Sequence, residues 1–505
     1  MNSKEFLKHL LKESNEERAL ENVINEVVSY NSLLKKIEEN SNLFKFANIS
    51  EHDTIAIVLA NGPNMAAVFL SVLSSAIAAP LNPSYTESEF MFYMKDLEVS
   101  AIVIDKNDQG PARKTAKKLG LKIINSISKD KSILDDLRLD EDSRKVGKTN
   151  SAKDPTTALI LHTSGTTSKP KMVPLNYINL ISSAKNITKS LNISNKDKCM
   201  NIMPLFHIHG LIACLLAPLY SGGCVITCPQ FNALSFYKWL NMTKPTWYSA
   251  VPTMHQTILS RANKNFNFIK SSNLKFIRSS SAPLPNKTII ELREIFNIPV
   301  IESYGMTEAT HQITSNPLKK GKQKIGSVGI PSGPEVKILD SNSKIISNDA
   351  TGEIIIKGKN VTRGYIANKE TNQKAFYKDW FRTGDQGYID SDGYLIITGR
   401  IKEIINRGGE KISPIEVDNV LLEHPSVAQA VTFSIPHDKL GEDIAAALVP
   451  NEEFNINEKE IKKHCLEQLA KFKVPNIIKI VKSIPKGPTG KLQRNKMAKL
   501  LGLEK

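Results

Sequence analysis

The chain has 505 residues, 41% of them hydrophobic and 23% charged, with a formal net charge of +16. That length exceeds one ordinary core and predicts two or more packed units, and the composition excludes disordered and fibrous classes. The charge comes from 55 Lys against 12 Arg, scattered without an Arg-rich or aromatic-interleaved stripe, which predicts a field for polyanionic small molecules and no nucleic-acid partner. The first 18 residues, MNSKEFLKHLLKESNEER, are amphipathic and charged, unlike a signal peptide. Residues 54–86 carry no charge, but Asn61-Gly62-Pro63-Asn64 divides them into a strand and a short helix, neither able to span a bilayer, so no membrane insertion is expected.

Strands are predicted at Thr54–Ala60, Ala101–Asp105, Thr157–His162, Val225–Cys228, Trp247–Val251, Lys275–Ser279 and Val300–Tyr304. Helices are predicted at Met65–Ser75, Ile178–Leu191 and Lys287–Phe296. This alternation predicts an α/β fold with largely parallel strands. From about residue 324 to 399 the texture changes to strands and turns, predicting a β-rich subdomain. From Arg400 a compact α+β module is expected: a hairpin over Glu403–Ile412 around Gly408-Gly409, a helix opened by Ser413-Pro414, and a later helix through Leu469 started by Asn457 and Glu460. The expected division is therefore a large domain at 1–399 and a small one at 400–505. Cys199, Cys214, Cys224, Cys228 and Cys465 make no paired framework, which fits a reducing, cytoplasmic setting. The Cys224/Cys228 pair has no second pair for zinc and is expected to pack as small buried hydrophobes. The terminal Gly502-Leu503-Glu504-Lys505 is not a peroxisomal address.

The stretch carrying most chemistry is Thr163-Ser164-Gly165-Thr166-Thr167-Ser168-Lys169-Pro170-Lys171, after a buried strand. Hydroxyls and backbone N–H groups in such a turn can wrap phosphate oxygens while lysine neutralises them. The spacing is not that of a Walker A loop. Five further stretches follow in order: Pro204-Leu205-Phe206-His207, Tyr304-Gly305-Met306-Thr307-Glu308, Trp380-Phe381-Arg382-Thr383-Gly384-Asp385, Gly399-Arg400-Ile401-Lys402-Glu403 and Gly487-Pro488-Thr489-Gly490-Lys491. Together the six resemble the signature motifs of the adenylate-forming superfamily of acyl-CoA synthetases, adenylation domains and luciferases, over about residues 150 to 495. Ser168 and Met172 depart from that family's commonest pattern, which has glycine at both places.

The resemblance implies a large adenylate-forming domain with a small mobile C-terminal domain, using ATP, Mg²⁺ and coenzyme A. It assigns Thr163, Ser164, Gly165, Thr166, Thr167 and Lys171 to the ATP phosphates, and Ser281, Ala282, Pro283, Glu302, Ser303, Tyr304 and Gly305 to the rest of the nucleotide site. Tyr304 would stack on adenine, Asp385 would accept from the ribose hydroxyls, and Arg400 would sit near the ribose or α-phosphate. Thr166 and Glu308 would hold Mg²⁺, a hard cation that prefers oxygen. Lys491, His207, Thr307 and Glu308 would be catalytic, with Lys491 bridging the attacking carboxylate and the α-phosphate. Lys402 would be the hinge, and Gly408-Gly409 would line the tunnel for the pantetheine arm.

The runs around His207, Arg278, Ser280-Ser281, His311 and Asn406–Pro414 resemble the oxalate–CoA ligase branch, in which Ser168 is also usual. This implies an acid site built from His207, Arg278, Ser280, Ser281 and His311. The alternatives are a general short- or medium-chain or hydroxycinnamate–CoA ligase, and an adenylation enzyme loading a separate carrier protein. A monomer or homodimer is expected, with acid, ATP and CoA as its partners.

Overall fold

In a computed structural model the structure describes residues 1–11, 17–128, 132–145, 156–163, 170–366, 368–451, 454–485 and 492–503. Two large sheets carry the first three hundred residues. In the seven-stranded sheet the strands Lys122–Ile127, Val99–Asp105, Thr54–Val58, Ile77–Pro80 and Thr157–Thr163 are parallel neighbours, with antiparallel edges at Asp136–Leu139 and Lys171–Asn176. In the nine-stranded sheet Val300–Met306, Phe276–Ser279, Trp247–Ala250, Lys198–Asn201, Cys224–Thr227 and Arg18–Glu21 run parallel in that order. Several of these runs are largely apolar because both faces are covered, as in Thr54–Val58 and Trp247–Ala250, where every residue is buried. Helices such as Pro63–Leu73 and Tyr177–Ser190 supply that cover, each started by a local signal: Pro63 at the first turn, and Asn176 capping Asn179. The amphipathic N-terminal segment forms the helix Ser3–Leu11, which buries Phe6, Leu10 and Leu11.

The β-rich region forms a six-stranded antiparallel sheet ending with Leu395–Arg400. A separate five-stranded sheet begins at Ile405–Arg407 and builds the small α+β unit with the helices Pro414–Glu423 and Glu458–Gln468. The architecture is the expected one, α/β with a larger N-terminal and a smaller C-terminal part.

The structure adds the strands Arg18–Glu21, Ile77–Pro80, Lys122–Ile127 and Lys198–Asn201 to those expected, and differs in three further ways. Val300–Met306 runs two residues past the predicted end and turns back as an unpredicted strand, His311–Ser315. His-Gln-Ile-Thr-Ser lacks an apolar run, yet all five residues are buried, with Gln312, Thr314 and Ser315 each hydrogen-bonded through their side chains. A π-helix, His209–Leu216, follows the His207 turn, a wide form of helix often found at functional sites. Asn457 caps Lys459 rather than Glu460, and its helix ends at Gln468, one residue short.

All five cysteines are buried free thiols. Burial pushes Cys224 up to about 12 and Cys465 up to about 11. A thiol-reactive chromophore at pH 8 should therefore find essentially no thiol in the folded protein and all five in guanidinium. Rapid labelling of the native chain would contradict this packing.

Candidate active site

The candidate side chains gather where parallel strands end, as expected for open α/β sheets. Thr163 closes one such strand and pairs in register with Lys171, which opens the antiparallel neighbour, so the two ends of the predicted phosphate loop stand side by side. Ser164, Gly165, Thr166, Thr167 and Lys491 lie outside the described residues. Just below the loop, His162 Nε2 is 2.8 Å from Asp96 Oδ2 and its ring sits edge-on to Tyr93. The imidazole is thereby anchored to the helix Glu87–Asp96.

The hairpin Val300–Met306/His311–Ser315 is the centre of the site. A Cβ on Gly305 would lie 1.5 Å from the carbonyl oxygen of His311, so only glycine permits this closure. The turn passes through Thr307–Ala309, then Thr310 and His311 at φ of 50° and 88°, the left-handed region. This swings the Glu308 carboxylate inward, where its Oε1 accepts from the Tyr365 hydroxyl at 2.8 Å. Lys171 Nζ stands 4.6 Å over the same Tyr365 ring. Burial pulls the Lys171 ammonium down from its ordinary value, while Glu308 pulls the other way. Among the described residues no cluster of three metal-ligating side chains exists. A single buried carboxylate whose second oxygen has no hydrogen bond among the described residues still suits Mg²⁺, which takes one or two carboxylates and completes its shell with phosphate and water.

Tyr304, on the same strand, donates its hydroxyl to Asp385 Oδ2 at 2.5 Å, and Arg400 Nε is 3.2 Å from Asp385 Oδ1. Asp385 and Arg400 are register partners on adjacent antiparallel strands. Burial raises the Asp385 carboxyl despite Arg400, whereas the Arg400 guanidinium is raised by Asp385. Arg382 donates to Glu353 through Nε and NH2 at 2.8 and 2.5 Å, and Gly384 N–H donates to the other Glu353 oxygen at 3.2 Å. Glu353 thus grips the turn that presents Asp385, although no motif signals it.

On the facing wall the predicted acid-site residues divide. Ser281 is exposed, at φ 74°, and its hydroxyl lies 3.0 Å from His209 Nδ1. His311 is buried, stacks on His209 with ring centroids 4.7 Å apart, and leaves its Nε2 without a protein partner. Arg278 is fully buried behind them. His207 is half-buried at the turn before the π-helix, beside Phe206. Gly210 closes that turn, since a Cβ there would lie 2.3 Å from the Pro204 carbonyl oxygen. Ser280 differs from expectation: its hydroxyl is spent on the Ser303 carbonyl at 2.9 Å, tying two strands together rather than lining a cavity. Ser303 in turn donates to Ser315. Ala282 and Pro283 are exposed beside Ser281. Glu302 accepts from Leu284 N–H at 3.0 Å and so braces the 280–284 turn from within the protein.

Lys402 is exposed on the turn from Arg400 to Ile404, where Glu403 and Ile404 N–H both donate to the Arg400 carbonyl. Gly408 and Gly409, at φ of 59° and 96°, form the two-residue hairpin turn that needs left-handed backbone at both positions. Tyr365, Glu353, His209 and Ser249 were not legible in the sequence as site residues, because each acts as a partner of a motif residue far away in the chain.

Residues 7–366 match the model of the AMP-binding enzyme family, and residues 416–491 match that of the AMP-binding enzyme C-terminal domain. The chain is 44% identical to the oxalate–CoA ligase of Arabidopsis thaliana over 467 residues, 91% of this chain and 90% of that one. It is 39% identical to the oxalate–CoA ligase of Saccharomyces cerevisiae over 492 residues, covering 91% and 89%. Among solved structures, ATP-bound MatB from Rhodopseudomonas palustris superposes with a TM-score of 0.87 at 26% identity, over 99% of each chain. The o-succinylbenzoate CoA synthetase of Bacillus subtilis, with ATP and magnesium ion, does so at 0.81 and 28%, over 97% of this chain and 98% of that one.

Glu302 makes one property of the site measurable. Burial pushes its carboxyl up from 4.5 to about 7, against the pull of the Leu284 N–H. The folded chain keeps that proton to higher pH than the unfolded chain, so stability falls as pH rises from about 4.5 to about 7 and is level above. The penalty is on the order of 3 kcal/mol. Glu302→Gln keeps an oxygen for Leu284 and removes the charge. Thermal unfolding should show it more stable than the parent at pH 8 and about equal at pH 5; lower stability at pH 8 would mean a paired carboxylate.

Proposed function

Since the chain belongs to the AMP-binding enzyme family, we propose that it activates oxalate or another short dicarboxylate and transfers the acyl group to coenzyme A. The chain is an ATP-dependent acid–CoA ligase working through an acyl-AMP. The observation supporting the choice of acid is the wall behind Ser281. It holds a fully buried arginine with no carboxylate partner among the described residues, two imidazoles and a hydroxyl, where a fatty-acid site needs apolar lining. Burying the second carboxylate of such an acid unpaired costs several kcal/mol, and this wall supplies donors and positive charge for it. The names of the relatives point the same way.

In the first step one carboxylate oxygen attacks the α-phosphorus of ATP and pyrophosphate leaves. Both reactants are anions, so the chain's task is to align them and cancel charge rather than to supply a nucleophile. In our reading Thr163, Ser164, Gly165, Thr166, Thr167 and Lys171 hold the leaving phosphates, and Tyr304 stacks on adenine. Asp385 accepts from ribose hydroxyls, Arg400 lies close to them, and Lys491 bridges carboxylate and α-phosphate. Glu308 with Thr166 would hold Mg²⁺, which when bound neutralises phosphate charge. Tyr365 keeps the Glu308 carboxylate turned inward. His207 and Thr307 border the acid and the α-phosphate. In the second step the CoA thiol attacks the acyl carbon, the thiol proton departs, and AMP leaves.

We assign the division between domains to residues 400–402, with Lys402 as pivot and Gly408-Gly409 lining the pantetheine path. This reading is supported by the end of one sheet at Arg400 and the start of the next at Ile405. Among the described residues no helix is long and apolar enough to cross a membrane. A cytoplasmic setting agrees with the five free thiols.

Two experiments test these assignments. With purified protein, ATP should yield AMP and pyrophosphate, and kcat/KM should rank oxalate and malonate above acetate, octanoate and a cinnamate. ADP as product would sink the mechanism, and a preference for octanoate or a cinnamate would sink the acid. Second, Lys491→Ala should abolish adenylation yet spare thioester formation from preformed acyl-AMP, and Lys402→Pro should do the reverse because proline fixes φ at the pivot. Equal damage to both half-reactions in either folded variant would place the hinge or the catalytic lysine elsewhere.

A further inference from the structure

Behind the acid-facing wall runs a chain of polar groups that no sequence motif announces. Arg278 NH1 donates to Ser249 Oγ at 3.2 Å and lies 3.4 Å from His209 Nε2, while NH2 donates to Gln312 Oε1 at 3.3 Å. Ser249 Oγ is 2.6 Å from His209 Nε2, and His209 Nδ1 is 3.0 Å from Ser281 Oγ. Arg278 and Ser249 are fully buried and His209 is 1% exposed, whereas Ser281 is exposed. The chain therefore leads from a buried cation to the open side of the site.

Counting hydrogens gives it a direction. A guanidinium only donates, so Ser249 Oγ accepts from Arg278, which leaves its own hydrogen available to His209 Nε2. A hydrogen on Nε2 would oppose the NH1 hydrogens 3.4 Å away. His209 thus carries its hydrogen on Nδ1 and donates it to Ser281 Oγ. With a lone pair occupied in this way, the hydroxyl hydrogen of Ser281 is free to point into the site. The imidazole is neutral: burial, then the charge of Arg278, hold it well below its ordinary range, with His207 and His255 adding to the effect. The ring stacked on it, His311, is held neutral by the same two causes, burial first.

We propose that Arg278, Ser249 and His209 form a directed donor relay that obliges Ser281 to offer its hydroxyl hydrogen to the free carboxylate of the acid. The preference for a second carboxylate is then set by a guanidinium that never touches the substrate. The proposal rests on the reading of the acid as a short dicarboxylate. Within it Ser281 is the contact residue, and Arg278, Ser249 and His209 are positioning residues. Without Arg278 nothing fixes the relay's direction: Ser249 can turn its hydrogen away, His209 can take the other tautomer, and Ser281 then spends its hydrogen on Nδ1.

The test is a double-mutant cycle read as the ratio of kcat/KM for oxalate to that for acetate, so that general damage to adenylation cancels. Arg278→Met should lower this ratio about 30-fold in the parent and less than about threefold in a Ser281→Ala background, because a charge-assisted donor is lost only where Ser281 can use it. Arg278→Lys, which keeps an obligate donor, should stay within about fivefold of the parent. Equal losses in both backgrounds, or a full loss with Lys, would overturn the relay. Imidazole ¹⁵N NMR, with His209 assigned by His209→Gln, should show the Nδ1–H tautomer at neutral pH in the parent, and the Nε2–H form would also overturn it, independently of any variant's folding. A parent preferring octanoate to oxalate would defeat the reading of the acid, whereas a parent preferring oxalate whose Arg278→Met variant keeps that preference would defeat the relay alone.

Discussion

The hairpin from Val300 to Ser315 closes so tightly that the His311 carbonyl occupies the space a side chain at position 305 would need. Three proposed roles hang on this contact. On the strand entering the turn Tyr304 reaches Asp385, within the turn Glu308 reaches Tyr365, and on the strand leaving it His311 stacks on His209. In the proposed assignment, nucleotide, metal and acid contacts are thereby fixed relative to one another by backbone rather than by flexible side chains. A small opening of the hairpin would displace all three together, which is costly for a reaction whose catalysis is mostly alignment of two anions. The bracing is correspondingly dense: Asn360 Nδ2 donates to the Ala309 and Gln312 carbonyls, and Thr310 Oγ1 donates to the Asn360 carbonyl.

Positive charge is divided between two residue types. Lysines outnumber arginines more than fourfold, and their scatter provides a diffuse field. Several of the twelve arginines instead occupy positions where a planar fork is needed: Arg382 on Glu353, Arg400 on Asp385, Arg494 on Asp418 and Arg278 on Ser249 and Gln312. Arg278 differs from the other three in lacking a carboxylate among the described residues, and its guanidinium, pulled down by burial to about 10, remains charged at neutral pH.

Much of this was legible before any coordinates. Buried parallel strands announce themselves as short β-branched runs, and the ordered motifs identify the family because each is a contiguous string with its own chemistry. What escaped notice is of another kind. Glu353 and Tyr365 earn no attention from their neighbours in sequence; their meaning lies in Gly384 and Glu308, 31 and 57 positions away. His209 stands two residues from the motif residue His207, and its role depends on Ser249 and Ser281, 40 and 72 positions away. Ser280 shows the converse failure: the resemblance placed it in the acid site with Ser281, but its hydroxyl goes to the Ser303 carbonyl.

The two residues proposed to face the acid, Ser281 and His311, share a backbone peculiarity, φ of 74° and 88°. Left-handed backbone is open to glycine, tolerable for asparagine, aspartate and histidine, and hostile to β-branched side chains. Divergence of this pocket is therefore confined to a small alphabet. A lineage moving towards branched or longer acids could not simply paint these positions with valine or isoleucine, because the main chain would resist before the new ligand was ever met. Glycine offers the open route, making room rather than adding grease, so that a descendant with altered taste should carry losses of side chain at 281 and 311 and acquire its apolar surface from neighbouring helical positions instead.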